Sequence, residues 1–332
     1  VIPSLIVVSA PDFERLLLED NGSGNEYLTR PYSADSIRWR IEAMCIRRET
    51  VDDGSGPVLA EGQTGNEAWA RRATLIAVFN PKGGVGKTTL ATNLASTLQA
   101  RKGKSVLLID ADTVTGHVTT SFAIEAVRTV ADSWRDEAEG GPAETLVELA
   151  SAHGSGLRVV ALTDSPINTE ILEAQRIQAA IALARRSFDV IVVDLHPSYS
   201  ALNQAIFDEA DRILVPVTPD VPALRAAVQF LDVAVALGCR ERVSMVVNRA
   251  NSGVSVADME RTLGVAAFAQ LRSAGLLFVR AANEGRTVTE MFPREKITAD
   301  FDTLADRILG VQKPEGNVRA GFRFGSRAPA RA

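Results

Sequence analysis

Cysteine is scarce in this chain: Cys45 and Cys239 are the two among 332 residues. They lie far apart and lack metal-ligand spacing. A disulfide framework and a structural zinc site are thereby excluded, and the pair reads as free thiols in a reducing compartment. No apolar run is long enough to span a bilayer and no secretory signal opens the chain, so the expectation is a cytoplasmic protein without a transmembrane segment. Net positive charge is missing as well. The 36 Lys and Arg face 41 Asp and Glu, a net charge of -5, which argues against a generic nucleic-acid coat while leaving room for a local basic patch. His117 and His153 stand alone without metal-site spacing. What the chain does have is apolar bulk, 46 % of residues, enough for one large α/β domain plus an accessory piece. It opens on Val1 instead of Met and reads as a piece of a longer protein.

Four stretches follow one another. Residues 2 to 9, "IPSLIVVS", have the short, β-branched apolar pattern of a buried strand. A helix is expected over 12–20, a short strand at Tyr27–Leu28, and a helix capped by Ser33 with Ile37, Ile41 and Met44 on one face. Residues 50–72 are rich in Gly, Ser and acidic side chains without a period, and read as a linker. From 73 to 312 apolar strand candidates (74–80, 104–112, 157–162, 188–194, 212–217, 242–248, 266–271) alternate with helical segments, notably 87–101, 168–186, 220–237, 254–263 and 296–309. That alternation predicts a mostly parallel sheet covered by helices on both faces. Residues 125–141 are acidic and poorly patterned, a loop or a variable helix. Residues 313–332 form an arginine-rich tail without pattern, expected to be disordered.

The chemistry concentrates at "FNPKGGVGKTTLATNL", residues 79–94. The phosphate-loop pattern G-x-x-x-x-G-K-[ST] ends in Gly86-Lys87-Thr88, but Asn80 or Pro81 stands where its first glycine belongs, and a second lysine, Lys82, precedes Gly83-Gly84. Gly83, Gly84, Val85 and Gly86 leave a strand and enter a helix, the context in which backbone N–H groups and a helix N-terminus converge on an anion. In that reading Lys87 sits on the β- and γ-phosphates, Thr88 offers its hydroxyl to Mg²⁺ and Thr89 reaches the α-phosphate region. The competing reading is a tight strand-to-helix turn that needs glycine and nothing more. "LLIDADTVTGH" then places Asp110 and Asp112 one residue apart at a strand end, pointing the same way and toward the same sheet edge as the loop. One could position Mg²⁺ and the other orient a water; the pair could also be helix caps. A third strand, "FDVIVVD", delivers Asp194 to the Mg²⁺ shell. Read without any family, Lys82 is a solvated lysine as readily as a ligand.

With "FDVIVVDLHPSYSALNQAIFDEADRILVPVTPDVPALRAA", "VVNRAN" and "AANEGRTVTEMFP", these motifs resemble the ParA/MinD superfamily of deviant-loop ATPases over about residues 74 to 310. The D-x-D switch and "ALTDSP" are most similar to the CpaE/TadZ branch, linked to Flp-type pilus assembly. Residues 2–48, with "YLTRPYS", resemble the last part of a receiver domain, the module that precedes the ATPase in that branch. The resemblance implies a P-loop fold with a partial receiver-like segment at 1–49, ATP and Mg²⁺ as ligands, slow hydrolysis to ADP and phosphate, and a homodimer closed over two ATP molecules. Lys82 is then implied to reach the partner's phosphates, Asp112 to assist water attack, and Asp110 to lie on the Mg²⁺ side. Asn248 is implied to read the adenine edge, and Pro219 and Asp220 to lie near the base and the dimer seam.

The chain departs from the pattern in places. Arg30 replaces the receiver lysine, and His196 stands where relatives usually have proline, read here as a polar substitution ahead of a ligand or base. The tail carries Arg319, Arg323, Arg327 and Arg331 among Gly321, Gly325 and Pro329, a poor match to a membrane-binding helix. Three functions are weighed. The first is an ATP-dependent dimeric switch for a surface apparatus, partnered by pilus or polar-localisation machinery at the cell pole or inner-membrane surface. The second is a ParA-like partition ATPase holding DNA nonspecifically, and the third a nucleotide-bound scaffold that does not hydrolyse.

Overall fold

The computed structural model describes residues 5–8, 26–29, 72–116, 118–124 and 128–311. The expected helices at 12–20 and after Ser33, most of the linker, the arginine-rich tail and His117 lie outside them. The chain divides into two units, Val1–Trp69 and Ala70–Ala332. In the first, β1 (Leu5–Val8) and β2 (Glu26–Thr29) pair in parallel with Leu5 opposite Glu26 and Val8 opposite Thr29.

In the second unit the apolar runs become a sheet because each is too hydrophobic to leave either face in water. Its strands are β3 (Thr74–Val78), β4 (Val106–Ala111), β5 (Ser151–Ala152), β6 (Arg158–Ala161), β7 (Val190–Leu195), β8 (Arg212–Val217), β9 (Val243–Asn248) and β10 (Ala267–Leu271). Their order across the sheet is β10-β9-β8-β3-β7-β4-β6-β5. Every pair is parallel except the short β5 edge against β6. All six residues of both β4 and β7 are buried. Alternate side chains serve opposite cores: Leu75, Ala77 and Phe79 point to one face, Ile76 and Val78 to the other.

Helix α1 (Lys87–Ser96) runs on through a π-helical turn, Thr97–Arg101, so the expected 87–101 helix exists with a wider last turn. It lays Leu90, Leu94 and Leu98 on the Ile76/Val78 face. The chain then forms α2 (Val118–Ser121), α3 (Val130–Ala138), α4 (Leu146–Leu149), α5 (Ala174–Ala184), α6 (Ala201–Glu209), α7 (Val221–Ala236), α8 (Val256–Leu263), α9 (Gly275–Asn283), α10 (Val288–Met291) and α11 (Lys296–Ile308). Helix α11 shares the α1 face through Phe301 and Leu304, while α5 to α8 cover the other.

Of two local expectations, the stretch offered as a loop or a variable helix takes the helical form, and the expected 168–186 helix is divided. The acidic stretch 125–141 contains a true helix, α3, started by a capping box in which Thr129 and Asp132 satisfy each other's backbone N–H groups. The predicted 168–186 helix is instead a 3₁₀ segment, Pro166–Ile171, and then α5, with Glu173 extended between them. A proline start and the Thr169 hydroxyl donating back to the Pro166 carbonyl favour the tighter turn.

Beneath the loop that follows β3, Phe79 meets Phe207 and Phe230 with ring centroids 5.0 and 4.9 Å apart. All three rings are fully buried. Offset and edge contacts of this kind add to area burial, so the cluster pins the root of the loop to α6 and α7. Phe230→Ala is expected to lower unfolding stability by about 3–5 kcal/mol, read by urea denaturation.

Candidate active site

Strand register assembles the site. Across the sheet Val78 pairs with Asp194, and Asp110 pairs with Asp194 on the other side. The end of β3, from which the glycine loop departs, and both acids therefore stand in one row at the carboxyl edge, where ligands of open parallel sheets bind.

The loop turns through left-handed backbone at Gly84 (φ 77°) and Gly86 (φ 91°), which a side chain would strain. At Gly86 there is also no room: a Cβ would come within 2.5 Å of Asn248 Nδ2. Two asparagines hold the loop. Asn80, fully buried, donates through Nδ2 to the Pro216 carbonyl (2.9 Å) and accepts the Lys82 N–H (2.8 Å). Asn248 donates through Nδ2 to the Val85 carbonyl (2.8 Å) and accepts the Arg249 N–H (3.0 Å). Asn80, read from sequence only as a missing glycine, is thus the loop's structural root. One Asn248 amide hydrogen is engaged by the loop itself.

Lys87 begins α1 and is buried. Burial pushes its ammonium pKa below the ordinary value, opposed by the charges of Asp194 and Asp112. Thr88 Oγ1 donates to Asp194 Oδ2 at 2.6 Å. Asp194 is 1 % exposed and its Oδ1 has no hydrogen-bond partner. Burial pushes its carboxyl up to about 7, with Thr88 opposing and the charge of Asp110 adding to the rise. A hydroxyl beside a desolvated carboxylate with an oxygen to spare fits Mg²⁺, which takes one or two carboxylates and completes its shell with phosphates and water. Thr89 borders a cleft whose lining includes Asn93, Phe122, Phe278 and Arg286.

Asp110, nearly buried, accepts the N–H groups of Asp112 (3.1 Å) and Val118 (3.0 Å), so its carboxylate shapes the loop between β4 and α2. Gly116 completes that turn, since a Cβ there would sit 2.8 Å from the Asp112 carbonyl. Asp112 accepts Thr115 N–H (2.9 Å), Thr115 Oγ1 (3.0 Å) and His196 Nδ1 (2.8 Å). Burial alone would raise its carboxyl, but the Thr115 and His196 hydrogen bonds bring it below the ordinary value. His196, discounted in the sequence, is therefore in the site.

Lys82 is half-buried, and its backbone N–H is held by Asn80. Asp220 caps α7 by accepting Ala223 N–H (2.9 Å). Its carboxyl lies below the ordinary value chiefly through the Thr218 hydroxyl, with Lys82 and Arg249 contributing charge. Pro219 accepts Val254 N–H (3.1 Å), and Gly253 (φ 73°) packs so closely that a Cβ would meet the Pro219 carbonyl at 2.2 Å. The structure thus gathers Gly83 to Thr89, Asp110, Asp112 and Asp194 at one edge, with Lys82, Pro219, Asp220 and Asn248 along its flank. The signals for Asn80 and His196 were residue identities out of pattern inside motifs.

Asp194 carries a stability consequence. With a folded value near 7 against an ordinary 3.8, the folded chain keeps a proton that the unfolded chain has lost, so its cost grows as pH rises from about 4 to 7 and then levels off. In nucleotide-free protein, Asp194→Asn is expected to raise Tm by several degrees at pH 8 and by little near pH 4, read by calorimetry.

Comparison with known proteins bears on the family and the fold. Residues 73–242 match the family model described as AAA domain. The septum site-determining protein MinD of Thermotoga maritima is 28% identical over 254 residues, covering 73% of this chain and 90% of that protein. The chromosome-partitioning ATPase Soj of Thermus thermophilus is 27% identical over 245 residues, covering 70% and 94%. Among solved structures, MinD of Pyrococcus horikoshii complexed with Mg-ADP superposes with a TM-score of 0.62 at 17% identity, covering 71% of this chain and 96% of that one. The chain belongs to this AAA-domain family and, with its MinD and Soj relatives, to the ParA/MinD superfamily of P-loop ATPases.

Proposed function

We propose that this protein is an ATP-driven dimerising switch that positions or partitions cellular cargo. The observation that carries the reading is the Thr88–Asp194 contact, 2.6 Å, with one buried Asp194 oxygen unpartnered beneath a loop of backbone donors. The Thermotoga and Thermus relatives are named for septum-site determination and chromosome partitioning, and the Pyrococcus MinD structure holds Mg-ADP. Those names favour positioning or partitioning over the narrower Flp-pilus branch, whose support is the sequence resemblance of residues 2–48 and "ALTDSP".

In this reading Gly83 to Gly86 and the α1 N-terminus hold the phosphates, and Lys87 neutralises the β and γ groups. Mg²⁺, when bound by Thr88 and Asp194 with Asp110 behind, supplies Lewis-acid stabilisation of the transferring phosphoryl. Asp112 orients the attacking water. Lys82 crosses to the second subunit's phosphates, so ATP joins two copies and hydrolysis releases them. Asn248 meets the adenine edge with its remaining polar capacity, and Pro219 and Asp220 border the seam. Catalysis comes from positioning and charge neutralisation.

Light scattering with Mg²⁺ and ATP or ADP, with phosphate release followed in the same samples, tests this. Mass should double with ATP alone. Asp112→Ala should stay dimeric with turnover reduced roughly a thousandfold, and Lys82→Ala should stay monomeric or cease hydrolysis. Mass indifferent to nucleotide, with no phosphate released, would identify a scaffold instead. ATP-dependent DNA retention that falls steeply with salt would mark the partition form of the switch.

A further inference from the structure

His196 is the side chain in the site that the phosphate-loop chemistry does not use. It follows β7 directly, two residues beyond Asp194, and its backbone is held from below. The His196 carbonyl accepts Asn203 Nδ2 at 2.8 Å, and the same amide donates to the Ser198 carbonyl at 2.7 Å. Asn203 is 1 % exposed and sits in the first turn of α6, whose start is capped by the Ser200 hydroxyl on the Asn203 N–H. A buried, doubly bonded amide under a tight turn gives the imidazole a fixed base.

From that base Nδ1 reaches Asp112 Oδ1 at 2.8 Å, joining the end of β7 to the loop after β4. The Asp112 oxygens are treated unequally. Oδ1 receives Thr115 N–H at 2.9 Å, Val114 N–H at 3.3 Å and His196 Nδ1, whereas Oδ2 receives the Thr115 hydroxyl at 3.0 Å. A carboxylate oxygen accepts about two hydrogen bonds. Oδ1 is therefore saturated, while Oδ2 keeps a lone pair for a further donor.

We infer that His196 is a positioning residue for hydrolysis: its Nδ1–H fixes Asp112 Oδ1 so that Oδ2 is presented to the attacking water. The inference rests on the proposed role of Asp112 as the water-orienting carboxylate. Without His196 the carboxylate keeps its Val114 and Thr115 hydrogen bonds but loses the tether to the end of β7, so its aim loosens while the phosphate loop is untouched, and the loss falls on the chemical step and spares nucleotide affinity.

The experiment is steady-state ATP hydrolysis by the full chain and five variants, each checked by thermal melt. His196→Ala is expected to lower kcat roughly 10- to 100-fold, the usual cost of losing an orienting partner, with KM for ATP within about twofold. His196→Asn places an amide donor where Nδ1 stood and should recover most of kcat. His196→Gln carries its donor one atom farther and should lose kcat as Ala does, which keeps the test decisive if the Ala variant unfolds. In an Asp112→Ala background, His196→Ala should cost nothing more, because the group it positions is gone. The inference is overturned if His196→Ala keeps full kcat, if Asn and Gln behave alike, or if the two losses multiply. Asp112→Ala with undiminished turnover would remove the role assigned to Asp112 and this inference with it. A loss in Asp112→Ala beside an unaffected His196→Ala would overturn the inference alone.

Discussion

The site depends on one constraint: the hydrogen-bond register that puts Val78, Asp194 and Asp110 in a single row across β3, β7 and β4. A one-residue slip in either pair would send every side chain of the slipped strand to the opposite face. Asp194 would then leave Thr88, and Asp110 would leave the turn that it shapes. The register is enforced by burial on both sides. Leu107, Ile109, Ile191 and Val193 belong to one core and Leu108 and Val192 to the other, so a one-residue slip would exchange side chains of different shape between two packed cores. Packing of apolar side chains far from any ligand is what sets the positions of the carboxylates.

Having placed the groups, the fold makes them energetically uncomfortable. Asp194 is pushed up by burial and Lys87 is pushed down by burial. Both shifts say that solvent has been withdrawn from charges that solvent would otherwise stabilise. An isolated buried carboxylate would cost the fold several kcal/mol, and Thr88 offsets part of that. A polyphosphate with its cation would supply the rest of the solvation through fixed charges, which is the sense in which such a site is preorganised. The phenylalanine cluster of Phe79, Phe207 and Phe230 belongs to the same account, because it anchors the chain one residue beyond β3 and makes the loop's root rigid.

Much of this was legible in the sequence, for reasons that differ by feature. Buried parallel strands declare themselves as apolar runs, so β3, β4 and β7 to β10 could be read with ends shifted by a residue or two. Gly86-Lys87-Thr88 was legible because few local patterns demand those residues together. The capping box of Thr129 and Asp132 lay within an acidic stretch whose poor pattern left loop and helix both open, and the expected helix at 168–186 took in part of the Pro166 segment because side-chain competition with the backbone is local and subtle. Asn80 was visible as a missing glycine and nothing more, and Asn203 escaped notice. Each acts by satisfying carbonyls of residues distant in sequence or in a neighbouring turn, Asn80 that of Pro216 and Asn203 those of His196 and Ser198. Such partners are set by tertiary structure, and a linear pattern carries no trace of them. His196 was visible as an irregularity, but its meaning needed the distance to Asp112.

The two lysines of the loop can now be separated on physical grounds. Lys87 is buried at the start of α1 and feels the charges of Asp194 and Asp112. Lys82 leaves the same loop with its backbone N–H held by Asn80, and its charge is a small contributor to lowering the carboxyl of Asp220, which also caps α7. A side chain with a fixed root, a flexible four-carbon stem and a weakly competing counter-charge is suited to change partners when a stronger anion arrives. A phosphate group bears more charge than the half-exposed Asp220 and presents more acceptor oxygens. Transfer of Lys82 from the α7 cap region to phosphate would therefore couple ligand arrival to the loop that leads into α7. On the proposed reading, one loop would then have two separable duties: binding through Lys87 within a subunit, and communication through Lys82.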